Sequence, residues 1–107
     1  MFFKRKEQRK TRNNLLLLQS LNGREVKYVS VRDPDTYGET IIGKYGHINV
    51  FGDELVIICG GEEVFKHPLE GLEAGEFLSL DGVNLRYYDA EKGKQYTVVA
   101  YYKYHRK

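Results

Sequence analysis

The sequence predicts a mainly β domain, with one short helix near its start leading into a small, strongly bent antiparallel barrel. Three observations carry this. Apolar and aromatic residues alternate in short runs from Val26 onward, and glycine-led turns punctuate those runs. Tyrosine (9) and glycine (11) are abundant while proline is scarce (2), a mixture suited to short strands and tight turns. One segment, around Leu15 to Leu21, carries helical spacing instead. At 107 residues and 41% hydrophobic content the chain supports one core and is too small for two. The expected organisation is a basic, disordered arm over residues 1–12 and a single barrel-like domain over 13–107.

The helix is bounded by Asn13-Asn14 before the leucine run and Asn22-Gly23 after it. Asparagine serves well as an N-cap and glycine as a stop. Leu15, Leu18 and Leu21 share one face with Leu17 beside them, and a helix this short needs a surface to dock on. After Gly23 the period changes to that of a strand at Val26, Tyr28, Val29 and Val31, ended by the turn-rich residues 33–38. A second strand is expected over 40–51. It is interrupted by Gly43 and Gly46, which mark a bulge or a sharp bend. Gly52-Asp53 turns it into a third strand over 54–59, and Gly60-Gly61 turns that into a fourth over 62–66. A looser stretch, 67–75, precedes a C-terminal extension of three strands. Asp81-Gly82 joins 76–80 to 83–89, and Glu91-Lys92-Gly93-Lys94 leads into 95–104.

These turns set a register. Phe51 faces Glu54, Val50 faces Leu55 and Ile48 faces Ile57; across the next turn Ile57 faces Val64 and Val56 faces Phe65. One face then carries Ile48, Val50, Leu55, Ile57 and Val64. The other carries Phe51, Val56, Ile58 and Phe65, which makes these four the expected interface. A strand apolar on both sides needs cover on both sides. The leucine helix, the C-terminal strands or another subunit would supply the second cover.

The net charge of +2 is unevenly spread. Residues 1–12 carry six Lys/Arg against one Glu and residues 103–107 three more bases, while residues 13–102 hold eight bases and fourteen acids. Basic ends on an acidic body are read either as attraction to a polyanion or as solvated, frayed termini. The lone Cys59 ends the apolar run Leu55 to Ile58 and reads as a small buried hydrophobe. No secretory signal and no run long enough to cross a bilayer is visible, so the expected location is cytoplasmic.

At this point a resemblance enters. Gly43, the run Ile48-Asn49-Val50-Phe51-Gly52-Asp53-Glu54-Leu55-Val56-Ile57-Ile58 and the segment Val64-Phe65-Lys66-His67-Pro68-Leu69 resemble the Sm-like family, a group of small SH3-like barrels, and within it the Hfq branch. The resemblance spans about residues 13–72. It implies an RNA site lined by Lys66 and His67, and rings assembled by strand pairing. The chain departs from that pattern at Glu54-Leu55, where Hfq presents a Gln-Phe pair that contacts and stacks on bases. Residues 76–107 have no counterpart in the basic Sm-like barrel.

His47, His67 and His105 are too dispersed to form a metal site with one cysteine, and no catalytic constellation or phosphate loop is present, so neither enzyme activity nor a cofactor or small-molecule substrate is expected. The last strand interleaves rings and positive charge, with Tyr102, Lys103, Tyr104 and Arg106 adding to Lys66 and His67 as candidate RNA contacts. Two functions follow. The first is a non-enzymatic module that self-associates or docks a protein partner; the alternative is Sm-like RNA binding.

Overall fold

The computed structural model describes residues 12–36 and 38–103. Helix α1 covers residues 12–20 among them. Seven strands follow: β1 Glu25–Arg32, β2 Glu39–Phe51, β3 Glu54–Cys59, β4 Glu62–Pro68, β5 Glu73–Glu76, β6 Gly82–Asp89 and β7 Lys94–Tyr102. They form one antiparallel sheet in the order β4-β3-β2-β1-β7-β6-β5, curled into a half-barrel. Two meanders, β1 to β4 and β5 to β7, are thus joined where β7 pairs with β1. The mainly β class, the bent sheet and the N-terminal helix agree with the sequence pattern.

Burial explains the curl. A single sheet that must hide one face wraps that face around its own side chains. Val26, Val29, Ile48, Leu55, Ile57, Val83, Leu85, Val98 and Ala100 fill the concave side, and each is almost fully buried. Leu18 and Leu21 join this cluster, so α1 closes one end of the half-barrel as an amphipathic plug. Gly23, in the left-handed region at φ 84°, ends the helical segment, and its N–H donates to Ile48 O at 2.7 Å. Asn22 Oδ1 accepts from Val50 N at 2.9 Å, tying the helix exit to β2.

The glycines of β2 permit the bend. A Cβ at Gly46 would lie 2.0 Å from Ile58 O and 2.6 Å from Cys59 Sγ; one at Gly43 would lie 2.8 Å from Cys59 Sγ. Strand β2 therefore presses its bare backbone onto β3. Between the two glycines Tyr45 takes a left-handed φ of 54°.

Four expectations need correction. Asn13 and Asn14 lie within α1 rather than capping it; Asn14 is used for a tertiary contact instead. The 76–80 strand is not formed. Strand β5 spans Glu73–Glu76, and the chain then turns through Phe77 to Leu80, with Leu80 N donating to Phe77 O at 2.9 Å and Leu80 at φ 64°. Gly82 belongs to β6, where it pairs with Tyr101, and the position has no room for a side chain, since a Cβ there would sit 2.6 Å from Ala100 O and 2.8 Å from the Phe77 ring. The β3–β4 register is also displaced. It shifts between Ile57 and Ile58, leaving Val64 as an extra residue on β4, so Ile57 pairs with Phe65 and Val56 with Lys66. Phe65 consequently packs against the inner core, not the outer face.

The fourth correction concerns cover. Helix α1 packs inside, and β5 to β7 continue the same sheet, so neither lies over the outer side of β3. Val56 is nonetheless buried and Ile58 half-buried in the single chain. Asn49 and Lys66 flank Val56 on the neighbouring strands, and Lys66 Nζ reaches Glu54 at 3.8 Å. Long polar side chains of the sheet thus stand beside the apolar stripe, their stems adding apolar cover.

Gly46→Ala is expected to destabilise the fold by about 3 kcal/mol, the upper end for overpacking, because the clash is with backbone. Adding Cys59→Ala will not restore stability, since the Ile58 carbonyl remains in place. Urea unfolding of the two variants checks this; rescue by Cys59→Ala would place the strain in the thiol instead.

Candidate functional site

Two features stand out, and they adjoin. The first is a row of rings where the half-barrel closes. Strand β5 pairs with β6 through Arg86 and runs out before Tyr87. Beyond that point β4 approaches β6 through side chains. The rings of Phe65 and His67 lie 5.6 and 5.2 Å from that of Tyr87, which lies 5.9 Å from Tyr96. All four are half-buried, and Lys92 Nζ stands 5.5 Å from the Tyr96 ring centre. His67 Nδ1 is 2.6 Å from its neighbour's carbonyl, Pro68 O, which fixes the ring. Burial, then the charges of Asp89 and Tyr96, pushes the Tyr87 hydroxyl above its ordinary pKa.

The second is a groove of about 920 Å³ between α1, the turn at 52–53, the connection at 69–72 and the start of β5. Its floor is apolar: Leu18, Leu69 and Leu72 are buried there, and Leu15 and Leu17 form the helix side. Leu15 remains 40% exposed and its neighbour Leu16 55%, so this flank of the helix is not used by the core. Among the described residues the lining holds three carboxylates, Asp53, Glu70 and Glu73, and no base. Glu73 is engaged by Arg86 at 2.7 Å.

Asn14 builds this groove. Its Nδ2 donates to Leu72 O at 2.9 Å and its Oδ1 accepts from Ala74 N at 2.8 Å. One amide side chain thereby does for the outer edge of β5 what a paired strand would do. Leu69 N donates to Asp53 O at 2.7 Å, which holds the opposite wall. A Cβ on Gly71, at φ 83°, would lie 3.7 Å from the His67 ring, so the groove wall abuts the ring row.

The residues singled out from sequence are dispersed. Lys66 and His67 are consecutive in a strand and point to opposite faces. Lys66 pairs with Glu54 outside, while His67 joins the ring row. Tyr102 is 3% exposed, its hydroxyl donates to Glu76 Oε2 at 3.0 Å, and Arg24 lies over its ring. Burial removes that ring from any stacking role. Lys103 Nζ pairs with Glu25 at 3.5 Å. Tyr104, His105, Arg106 and residues 1–11 of the basic arm expected over 1–12 lie outside the described residues; Arg12, the last residue of that arm, is already part of α1. Of the expected interface, Phe51 is 64% exposed and Ile58 half-buried, whereas Val56 is buried and Phe65 faces inward. Leu69 and Leu72 carried no sequence signal beyond their spacing of three, and Asn14 read as a helix cap, not as a tertiary partner of Leu72 and Ala74.

Among the described residues no group of three or more His, Cys, Asp or Glu is placed to hold a metal ion, and no helix is long and apolar enough to cross a membrane.

Two outcomes test this geometry. Asn14→Leu should cost about 1–3 kcal/mol, because it leaves a part-buried N–H and carbonyl without their partner, and Asn14→Asp should cost more by setting a carboxylate against Leu72 O. Equal stabilities of the three proteins in urea would remove Asn14 from this role. The second outcome concerns pH. Cys59 and Tyr87 keep their protons to higher pH folded than unfolded, both raised by burial from ordinary values of 9.0 and 10.0. The unfolded chain therefore releases protons first, and stability, full below pH 9, declines as pH rises through the folded values. Tyr87→Phe should flatten the part of the decline that begins near pH 10; urea midpoints across pH 7–11 report it. Comparison with protein-family models, curated proteins and solved structures returned no match to this chain.

Proposed function

We propose that the protein is a non-enzymatic interaction module whose groove between α1 and residues 69–74 holds a basic, apolar peptide segment of a partner protein. The observation that carries this is the combination, among the described residues, of an apolar floor with a rim of carboxylates and no base. Such a groove rewards a ligand that buries aliphatic or aromatic side chains and places Lys or Arg against Asp53 and Glu70. The acid excess of residues 13–102 extends the same preference over the body of the molecule.

The ring row favours a second reading, single-stranded RNA stacked on His67, Tyr87 and Tyr96 with Lys92 nearby, in keeping with the Sm-like resemblance. Several features count against it. The acidic body repels a polyanion, Tyr102 is buried, and Lys66 faces away from His67.

A labelled ten-residue peptide of alternating Leu and Lys should bind with a Kd on the order of 10 μM, corresponding to about −7 kcal/mol. Asp53→Lys together with Glu70→Lys should weaken it at least about ten-fold, as should Leu15→Lys, without loss of folding because Leu15 is exposed. Binding that ignores all three substitutions would put the site elsewhere. A shift of oligo-U or oligo-A RNA at low salt, abolished by Tyr87→Ala, would favour the RNA reading. A concentration-dependent dimer in light scattering, lost on Leu15→Lys, would make a second copy the occupant.

A further inference from the structure

The groove opens beside the start of α1. Asn13, Asn14 and Leu15 line it, and residues 1–11 join them through Arg12. That segment opens with Met1-Phe2-Phe3, continues with Lys4-Arg5-Lys6 and adds Arg9 and Lys10. An apolar cluster followed by five bases has the chemistry that an apolar floor rimmed by Asp53, Glu70 and Glu73 selects. Reach is sufficient. Ten extended residues span roughly 33–36 Å, whereas the stretch of helix along the groove, residues 13–19, is about 10 Å long. A segment tethered this closely meets the groove at an effective concentration in the mM range, well above that of a free copy.

From these observations we infer that residues 1–10 are a built-in occupant of the groove in the same molecule, with Phe2 and Phe3 over the Leu15, Leu69 and Leu72 floor and Lys4, Arg5 and Lys6 against Asp53 and Glu70. This rests on the groove reading above and adds regulation to it. A partner segment must displace the arm, so its apparent affinity falls by the fraction of molecules in which the groove is open. Charge alone explains why the arm is basic and the body acidic. The apolar triplet Met1-Phe2-Phe3 suits the groove floor: three large apolar side chains ahead of a charge run gain by burial, not by solvation.

The test uses the full chain and a full-length arm variant carrying Phe2→Ser, Phe3→Ser, Lys4→Glu, Arg5→Glu and Lys6→Glu. The probes are a labelled peptide with the sequence of residues 1–10 and the Leu/Lys peptide used above. The arm variant should bind both peptides about ten-fold tighter than the unaltered chain, as expected if the arm fills about nine-tenths of the grooves. Asp53→Lys with Glu70→Lys in the arm variant should remove the gain. Equal binding of the Leu/Lys peptide by the two chains would overturn the inference and leave the groove reading intact. So would an arm variant that takes the Leu/Lys peptide and rejects the arm peptide. No binding of either peptide by the arm variant would overturn the groove reading and the inference with it. A dimer of the unaltered chain that the arm variant no longer forms would place the arm in a second copy, against occupation in the same molecule.

Discussion

A sheet with one face to hide and no second layer to hide it against must curve until its own side chains meet, and in this chain the close approach of β2 to β3 governs that curvature. With Gly43 and Gly46 bare beneath Cys59 and Ile58, the thirteen-residue β2 bends within its own length. Tyr45 in the left-handed region marks the pivot and stores strain that the packing around it must offset. Register shifts in β1 and between β3 and β4 sharpen the twist further. The consequence at β4 is specific. The extra residue, Val64, rotates Phe65 and His67 inward, where they reach Tyr87 and close the wall that β5 is too short to close.

The ends of the sheet follow from the same incompleteness. A half-barrel has two free edges, each a template for another strand. Strand β4 carries Glu62, Glu63 and Lys66 on its edge and ends in Pro68, while β5 is four residues long and its Ala74 N–H is taken by Asn14. Both edges are poor partners for strand addition. That weighs against the rings by strand pairing that an Sm-like resemblance implies, and it favours side-chain surfaces for the docking proposed above. Helix α1 then does two jobs with two flanks: Leu18 and Leu21 plug the core, and Leu15 and Leu17 face the groove.

Most of the fold was legible in the sequence because turns announce themselves locally. Gly52-Asp53, Gly60-Gly61 and Glu91 to Lys94 lie where the chain reverses, and the pairing of Phe51 with Glu54 and Ile48 with Ile57 is the one those turns dictate. What stayed hidden depends on contacts distant in sequence. The shift at Ile57 answers to the crowding of Val64 against Gly43, and Gly82 reads as a turn residue until Ala100 and Phe77 are seen to leave no room for a Cβ. Asn14 has the composition of a cap, but its partners are some sixty positions away at Leu72 and Ala74. The groove was illegible for the same reason, since its walls come from three separated segments. The described members of the expected RNA set stay apart on simpler grounds: alternation in a strand separates Lys66 from His67, and Tyr102 was needed in the core.

Charge separation along the chain favours the groove over the ring row as the surface of the proposed function. A protein that held a polyanion on its barrel would gain nothing from concentrating fourteen acids against eight bases there. Terminal bases do little for such binding when the body beside them repels the same phosphates within a Debye length. The arrangement is self-consistent if the acidic body is the receptor and a basic, apolar segment is the ligand. It then attracts its partners and its own arm by the same forces, and added salt weakens both while leaving the contribution of the Leu18, Leu69 and Leu72 floor largely in place.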